Sequence, residues 1–422
     1  MGRVSTNSIY LTIEKGAHLL GGLFIMVVVA RVMGAEGLAA YGFVISLTAF
    51  FTPILDLGLT NRVIRTVASG GLEAAEAVSD AIGFKLRLAP VVLVLVVGGA
   101  WIWGKSPATL VAVGLVGGST VAMALGDSVN AIFKGLQRAA YSALLVGGVN
   151  LLLILTCLGA IYIGWGLSGI GVCYLVCRVG YFYSGLALVS SVSRGLCPSL
   201  RVDPIRASVV KTGVQFLPSA YFLGNLLHIN FLTTDFANGE ANSGPFFIAY
   251  RFAAALFILA SGSLEAIFSG ITARIAAASD IKPFLIRAFL SLFGIGFAIV
   301  AIVYVALRPV TLWIFGGEYE SAIVVIRLVV WTLPPFLLCG LAHSVLLAMK
   351  REGRGALVLT SLVCTGALLG AGMSPSWGAL GTALAPSVTA SLFAVILWGL
   401  VWKELRRKNT GLPSEQDMGT PA

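Results

Sequence analysis
Apolar runs long enough to cross a bilayer, about 20 residues each, recur twelve times along this chain. They are separated by short polar or glycine-rich stretches. Inside lipid the backbone must satisfy its own hydrogen bonds, which leaves helices or a closed barrel. The runs lack the strict alternation of a membrane barrel, so the sequence predicts an all-α polytopic membrane protein. Only 11% of its 422 residues are charged, whereas a soluble domain carries about a quarter. The first run holds Glu14, Lys15 and His18 and lacks a small-residue cleavage site, so it reads as a retained span.

The predicted spans are 7–30, 38–59, 80–103, 108–133, 140–163, 168–191, 209–233, 244–269, 285–307, 321–348, 355–374 and 378–402. Threaded through a membrane in this order, 21 of the 28 lysines and arginines fall on one side, counting Lys85, Arg87, Lys211 and Arg287 at the ends of spans that start there. Only Arg31, Lys105 and Arg308 fall on the other, and Lys15, Arg178, Arg251 and Arg327 fall within spans. Basic residues stay cytoplasmic, so both termini are expected inside. The net charge of +10 is then a topology signal and calls for no nucleic-acid partner. Residues 403–422 read as a polar, unstructured tail. The six cysteines read as small core residues, and three scattered histidines make no metal site. No cofactor is expected.

The chain repeats itself weakly. "SDAIGFKLR" (Ser79 to Arg87) is similar to "SDIKPFLIR" (Ser279 to Arg287), and "GWGLSGIG" (Gly164 to Gly171) to "SWGALGTA" (Ser376 to Ala383). "IFKGLQRAAYSAL" (Ile132 to Leu144) is similar to "LAMKREGRGALVL" (Leu347 to Leu359). Taken in order, the pairs predict two six-helix bundles, 1–192 and 209–402, joined by a basic linker at 193–208. A binding site is expected between the two halves.

The stretch "ARVMGAEGLAAYGFVISLTAFFTPILDLGLTNRVIR" (Ala30 to Arg65) resembles the opening of the polysaccharide and O-antigen flippases. These form the Wzx-type branch of the superfamily that includes the multidrug and toxin extruders. "IFGGEYESAIVVIRL" (Ile314 to Leu328), "LLAMKREGR" and "WGALGTALA" resemble later elements of the same family. The stretch "CTGALLGAGM" (Cys364 to Met373) departs from it by lacking an asparagine. Lipid II flippases are similar too, with about two more spans. The resemblance implies a non-enzymatic flippase that moves a polyprenyl-pyrophosphate-linked oligosaccharide to the outer leaflet by alternating access. It also implies a coupling ion, proton or sodium, and a glycan polymerase as a possible partner.

Such a substrate needs cations in a partly wet cavity. A charge at the centre of a span costs about 2.5–3.5 kcal/mol on insertion scales, so intramembrane charges are the first candidates. For the pyrophosphate these are Lys15 and His18 in span one and Arg251 in span eight, with Asn225 and His228 nearby on span seven. The competing accounts are a self-neutralising cluster of Glu14, Lys15 and His18, and an Arg251 reaching outward to Asp235 or Glu240. Arg31 ends span one, where a cation suits a helix C-terminus, and it could also meet pyrophosphate at the outer vestibule. Arg178 and Arg327 read as packing residues. The gate and ion-coupling candidates are Glu14, Asp56, Asp127 and Asn130, with Arg62, Arg65 or groups on span one as expected partners of Asp56.

Two other classes fit parts of the pattern. A multidrug exporter of the same superfamily would want an acidic cavity for cationic drugs. A membrane-embedded glycan polymerase or ligase would carry a large outer loop, whereas the longest here is 308–320. No phosphate-binding loop or nucleophile motif is present in the sequence.

Overall fold
A computed structural model of the chain describes residues 2–69, 74–193, 196, 198, 227–237, 239–276, 280–349 and 352–409. Among these residues there is no strand. The first half comprises α1 (Gly2–Asp56), α2 (Leu59–Ala68), α3 (Ala74–Ile102), α4 (Pro107–Gly135), α5 (Ala139–Tyr162) and α6 (Gly166–Val192). The second comprises α7 (227–237), α8 (Glu240–Ala276), α9 (Lys282–Phe315), α10 (Glu320–Val330), α11 (Leu333–Ala348) and α12 (Glu352–Asn409).

Eight described helical segments are apolar and long enough to cross a membrane. Two of them, Ile13–Asp56 and Ser361–Arg406, are 44 and 46 residues long and hold two crossings each. At 1.5 Å per residue either would far exceed a hydrocarbon core of about 30 Å if straight. Each bends at one glycine, Gly34 (φ 67°) and Gly378 (φ 56°). The crossing in α8 makes eleven, and α7 is the described part of the twelfth expected from the apolar runs.

The element boundaries differ from the sequence reading in three places. Span ten breaks after Val330, and α11 restarts at Leu333 ahead of Pro334 and Pro335, which cannot donate to a continuing helix. The stretch after span two is a short amphipathic helix, α2, which buries Leu59, Val63 and Val67 one turn apart. The polar C-terminal stretch is helical as far as Asn409, and residues 410–422 lie outside the described residues.

We call the lysine- and arginine-rich end of the bundle inner and the opposite end outer. Every outer connection turns on a glycine with positive φ, a backbone region that penalises any side chain. In the first half these are Gly34, Gly104 and the pair Gly164 and Gly166, and in the second Gly239, Gly316 and Gly378. The pairs 104/316 and 166/378 are each 212 residues apart, and 34/239 are 205 apart. Gly166 and Gly378 are equivalent positions of the "GWGLSGIG" and "SWGALGTA" pair. The tryptophan before each is similarly exposed, 59% for Trp165 and 58% for Trp377.

A Cβ at Gly104, Gly166 or Gly316 would meet no atom within 4 Å. Changing Gly104 or Gly166 to alanine is therefore expected to cost only the positive-φ backbone strain, about 1–2 kcal/mol. Gly316, at φ 96° and ψ 176°, lies in a region that is essentially glycine-only, so alanine there should cost more. Thermal unfolding of the purified variants in detergent checks this, and an alanine variant as stable as the parent would refute it.

Candidate functional site
Between the halves lies a cavity of 380 Å³. Its walls come from both arms of α1, from α4, α5 and α6 on one side, and from α7 and α8 on the other. The polar lining includes His18, Thr48, Ser119, Asn150, Tyr174 and Arg178 from the first half, with His228 and Arg251 from the second. No aspartate or glutamate lines the cavity among the described residues.

The two arginines reach it from opposite sides. Arg178, on α6, is 6% exposed and makes no hydrogen bond or ion pair among the described residues. Arg251, on α8, lays its guanidinium against the backbone of α1. A Cβ on Gly22 would lie 2.8 Å from Arg251 Nη2, so glycine is what lets the cation approach. Its carbon sits 5.7 Å from the centre of the Phe247 ring, and its Nε is buried with no hydrogen-bond partner among the described residues. Beneath it Tyr250 Oη and His228 Nδ1 are 2.9 Å apart, which ties α8 to α7. The wall thus carries one buried and one half-buried guanidinium and no carboxylate among the described residues.

Several sequence candidates thus meet in one place: His18, His228 and Arg251. Arg178, read from sequence as a packing residue, stands in the cavity wall. Lys15 is exposed on α1 outside the wall, and Asn225 lies outside the described residues. Glu14 accepts from Lys134 Nζ at 2.8 Å and from Ser142 Oγ at 2.7 Å, which joins α1 to α4 and α5 within the first half. Asp127 accepts from Tyr181 Oη at 3.0 Å, and Asn130 is buried with its Oδ1 unpartnered.

Two expected contacts are corrected. Asp56 pairs with Lys85 at 2.8 Å rather than with Arg62 or Arg65. Lys85, counted from sequence among the inner-end cations, has a fully buried side chain. Its Nζ also donates to Ala124 O (2.8 Å) and Thr60 Oγ1 (3.1 Å), and Thr60 in turn donates to Asp56. The strong amine therefore pins the α1–α2 elbow to α3 and α4. Arg62 lies 3.9 Å from Asp80, and Arg65 is exposed on α2. The second correction concerns Arg31. Its own helix continues past it to Gly34, and the guanidinium serves another helix end instead. Nε and Nη2 donate at 2.6 Å to the carbonyls of Ile314 and Trp313, in the last turn of α9, where carbonyls lack helical partners.

That contact belongs to a seal between the halves at the outer end. Tyr319, the tyrosine of "IFGGEYESAIVVIRL", is 1% exposed and donates to Ala30 O at 3.0 Å. Lys105, from the α3–α4 connection, pairs at 2.6 Å with Asp235 of α7, and both side chains are buried. Ser243 Oγ donates to the same carboxylate at 3.0 Å, and the lysine sits over the Phe43 ring at 4.4 Å. Close backbone approach completes the seal: a Cβ on Gly244 would come within 2.6 Å of Ala35 O, and one on Gly42 within 2.7 Å of the Phe247 ring.

Asp235 supplies a buried carboxylate to Lys105, and a neutral side chain there weakens that tie between the halves. Asp235→Asn should therefore loosen the outer end. A cysteine replacing Thr48 in the cavity wall, in a background lacking the six native cysteines, should then react faster with an impermeant thiol reagent applied outside. An unchanged labelling rate would mean that the pair does not hold the seal.

No protein-family model matches the sequence, and no curated protein does. The fold does match solved structures. A multidrug-resistance MATE-family transporter of the MOP superfamily, inward-facing, superposes with TM-score 0.75 at 15% identity, covering 96% of this chain and 98% of that one. The lipid II flippase MurJ in an inward closed conformation gives TM-score 0.73 at 15% identity, over 94% of this chain and 87% of that one. A MOP-superfamily transporter from Pyrococcus furiosus, described as having a binding pocket of reverse polarity, gives 0.68 at 15% identity, over 96% of each chain. This chain has the twelve-helix, two-bundle fold of the MOP-superfamily transporters.

Proposed function
We propose that the chain is a flippase for a polyprenyl-pyrophosphate-linked oligosaccharide and moves it from the inner to the outer leaflet for surface-polysaccharide synthesis. The observation that carries this reading is the cavity wall, with an arginine from each half and no described carboxylate. A pyrophosphate bridging Arg178 and Arg251 would neutralise both cations and draw the two halves onto one ligand. His18, Asn150 and Tyr174 supply further polar groups around it, suited to the hydroxyls of a first sugar. The fold is shared with a lipid II flippase, whose lipid-linked cargo is of the same chemical class. It is also shared with the Pyrococcus furiosus transporter of reversed pocket polarity, so the fold accommodates more than one sign of pocket.

A multidrug exporter is the second reading, favoured by the MATE-family matches. The cavity argues against it, because a cationic drug would meet two arginines and no described counter-charge. The test uses purified protein and two soluble probes. Farnesyl pyrophosphate should raise the thermal midpoint in a saturable manner, and ethidium should not. Stabilisation by ethidium alone would favour the exporter and reject the flippase.

A further inference from the structure
A second concavity lies on the membrane-facing side of the second half and shares no residue with the cavity between the halves. It is a groove of 510 Å³ between α9, α11 and α12, with walls that include Phe289, Leu290, Trp398 and Trp402. We infer that this groove binds one acyl chain of an anionic phospholipid from the inner leaflet, with its headgroup on Lys282.

Length is the first argument. The lining runs along α9 from Lys282 to Leu290 and along α12 from Ala394 to Leu405. At 1.5 Å per residue these stretches rise about 12 Å and about 16 Å. Half of a hydrocarbon core is about 15 Å, so the groove is one leaflet deep. It does not continue to the outer end, as a binding track for a much longer prenyl chain would.

Charge and chemistry are the second argument. Lys282 is the one charged residue in the wall, and it stands at the inner mouth. Its backbone N–H donates to Asp280 at 3.0 Å, which holds the start of α9 in place, and exposed Lys403 follows Trp402 at the same level. Trp402 is 44% exposed, at the interfacial depth that tryptophan favours. Deeper in, Trp398 spends its indole N–H on Leu338 O at 3.2 Å and meets Phe289 edge to face at 5.2 Å, so the groove floor is apolar. An ammonium above an apolar slot selects a lipid with a negative head. The assignment to the inner leaflet rests on the charge asymmetry of the loops and is independent of the transported substrate.

The experiment titrates delipidated protein in detergent with short-chain phosphatidylglycerol or phosphatidylcholine and follows the thermal midpoint. Phosphatidylglycerol should bind about fivefold more tightly, the preference one lysine at an anionic surface provides. Lys282→Gln should bring the two lipids level. Gly399→Phe should abolish the shift with both, because a Cβ at Gly399 meets nothing within 4 Å and the ring can fill the slot. Should Gly399→Phe fail to fold, Val395→Trp, at an exposed groove position, serves the same purpose. Equal affinity for the two lipids in the parent protein overturns the headgroup assignment. A phosphatidylglycerol shift that survives in a folded groove-filling variant overturns the site.

Discussion

Arg251→Gln and Arg178→Gln are each expected to cut export of surface glycan by roughly tenfold or more, with normal amounts of inserted protein. A hydrogen bond to a charged group contributes about 1.5–3 kcal/mol, which corresponds to about 10- to 100-fold in affinity. Loss of either arginine removes such a contact from a poorly hydrated cavity. Folding should survive, because each charge was costly to place in the bundle and neither arginine makes a direct ion pair among the described residues. Arg251→Lys should fall between the parent and Arg251→Gln, since lysine keeps the charge and loses the bidentate fork. Lys15→Gln is the contrast: it lies outside the cavity wall and should export nearly normally. Complementation of a flippase-null strain, normalised to membrane protein level, measures all four. Normal export by both arginine variants would place the pyrophosphate elsewhere.

Lys85→Met is expected to destabilise the protein by roughly 3 kcal/mol, enough to deplete the folded population in membranes. The substitution strips Asp56 of its partner at 2.8 Å and leaves Ala124 O and Thr60 without their donor. Asp56→Asn alone should also destabilise, by stranding a fully buried ammonium. The double change Lys85→Met with Asp56→Asn should recover much of the loss, because no uncompensated charge is left behind. Fluorescence-detected size-exclusion of the four proteins reads this directly. Additive losses in the double variant would show that the pair is not the coupled unit described.

The helices were legible in the sequence because lipid permits so few alternatives; twenty apolar residues in a row settle an element without any tertiary information. The corners were harder. Gly34 falls in a predicted turn and Gly378 opens the last predicted span, but a sequence does not reveal that the helix resumes at once on the far side of either glycine. Arg251 and His228 could be nominated because an intramembrane charge demands a reason. Arg178 offered the same signal, yet nothing in a one-dimensional pattern distinguishes an arginine that faces a cavity from one that packs or reaches for the interface. Asn150, alone in "GGVNLLLIL", was equally visible as a polar residue in an apolar run. The ties of Asp56 to Lys85 and of Arg31 to α9 join residues 29 and more than 280 positions apart. Such partners are set by how helices pack, and local charge arithmetic favoured the nearer Arg62 and Arg65.

The six glycine corners have a mechanical consequence. A connection of a few residues, turning on positive-φ glycine, has almost no slack. Two helices joined in this way cannot slide past each other by a turn without tearing the corner apart. Each half therefore behaves as three stiff hairpins rather than six independent rods, and any large motion has to rotate whole hairpins, with play taken up at the inner ends. It follows that a disulfide clamping the inner ends of two neighbouring hairpins would immobilise the protein far more effectively than one placed across a corner that is already taut.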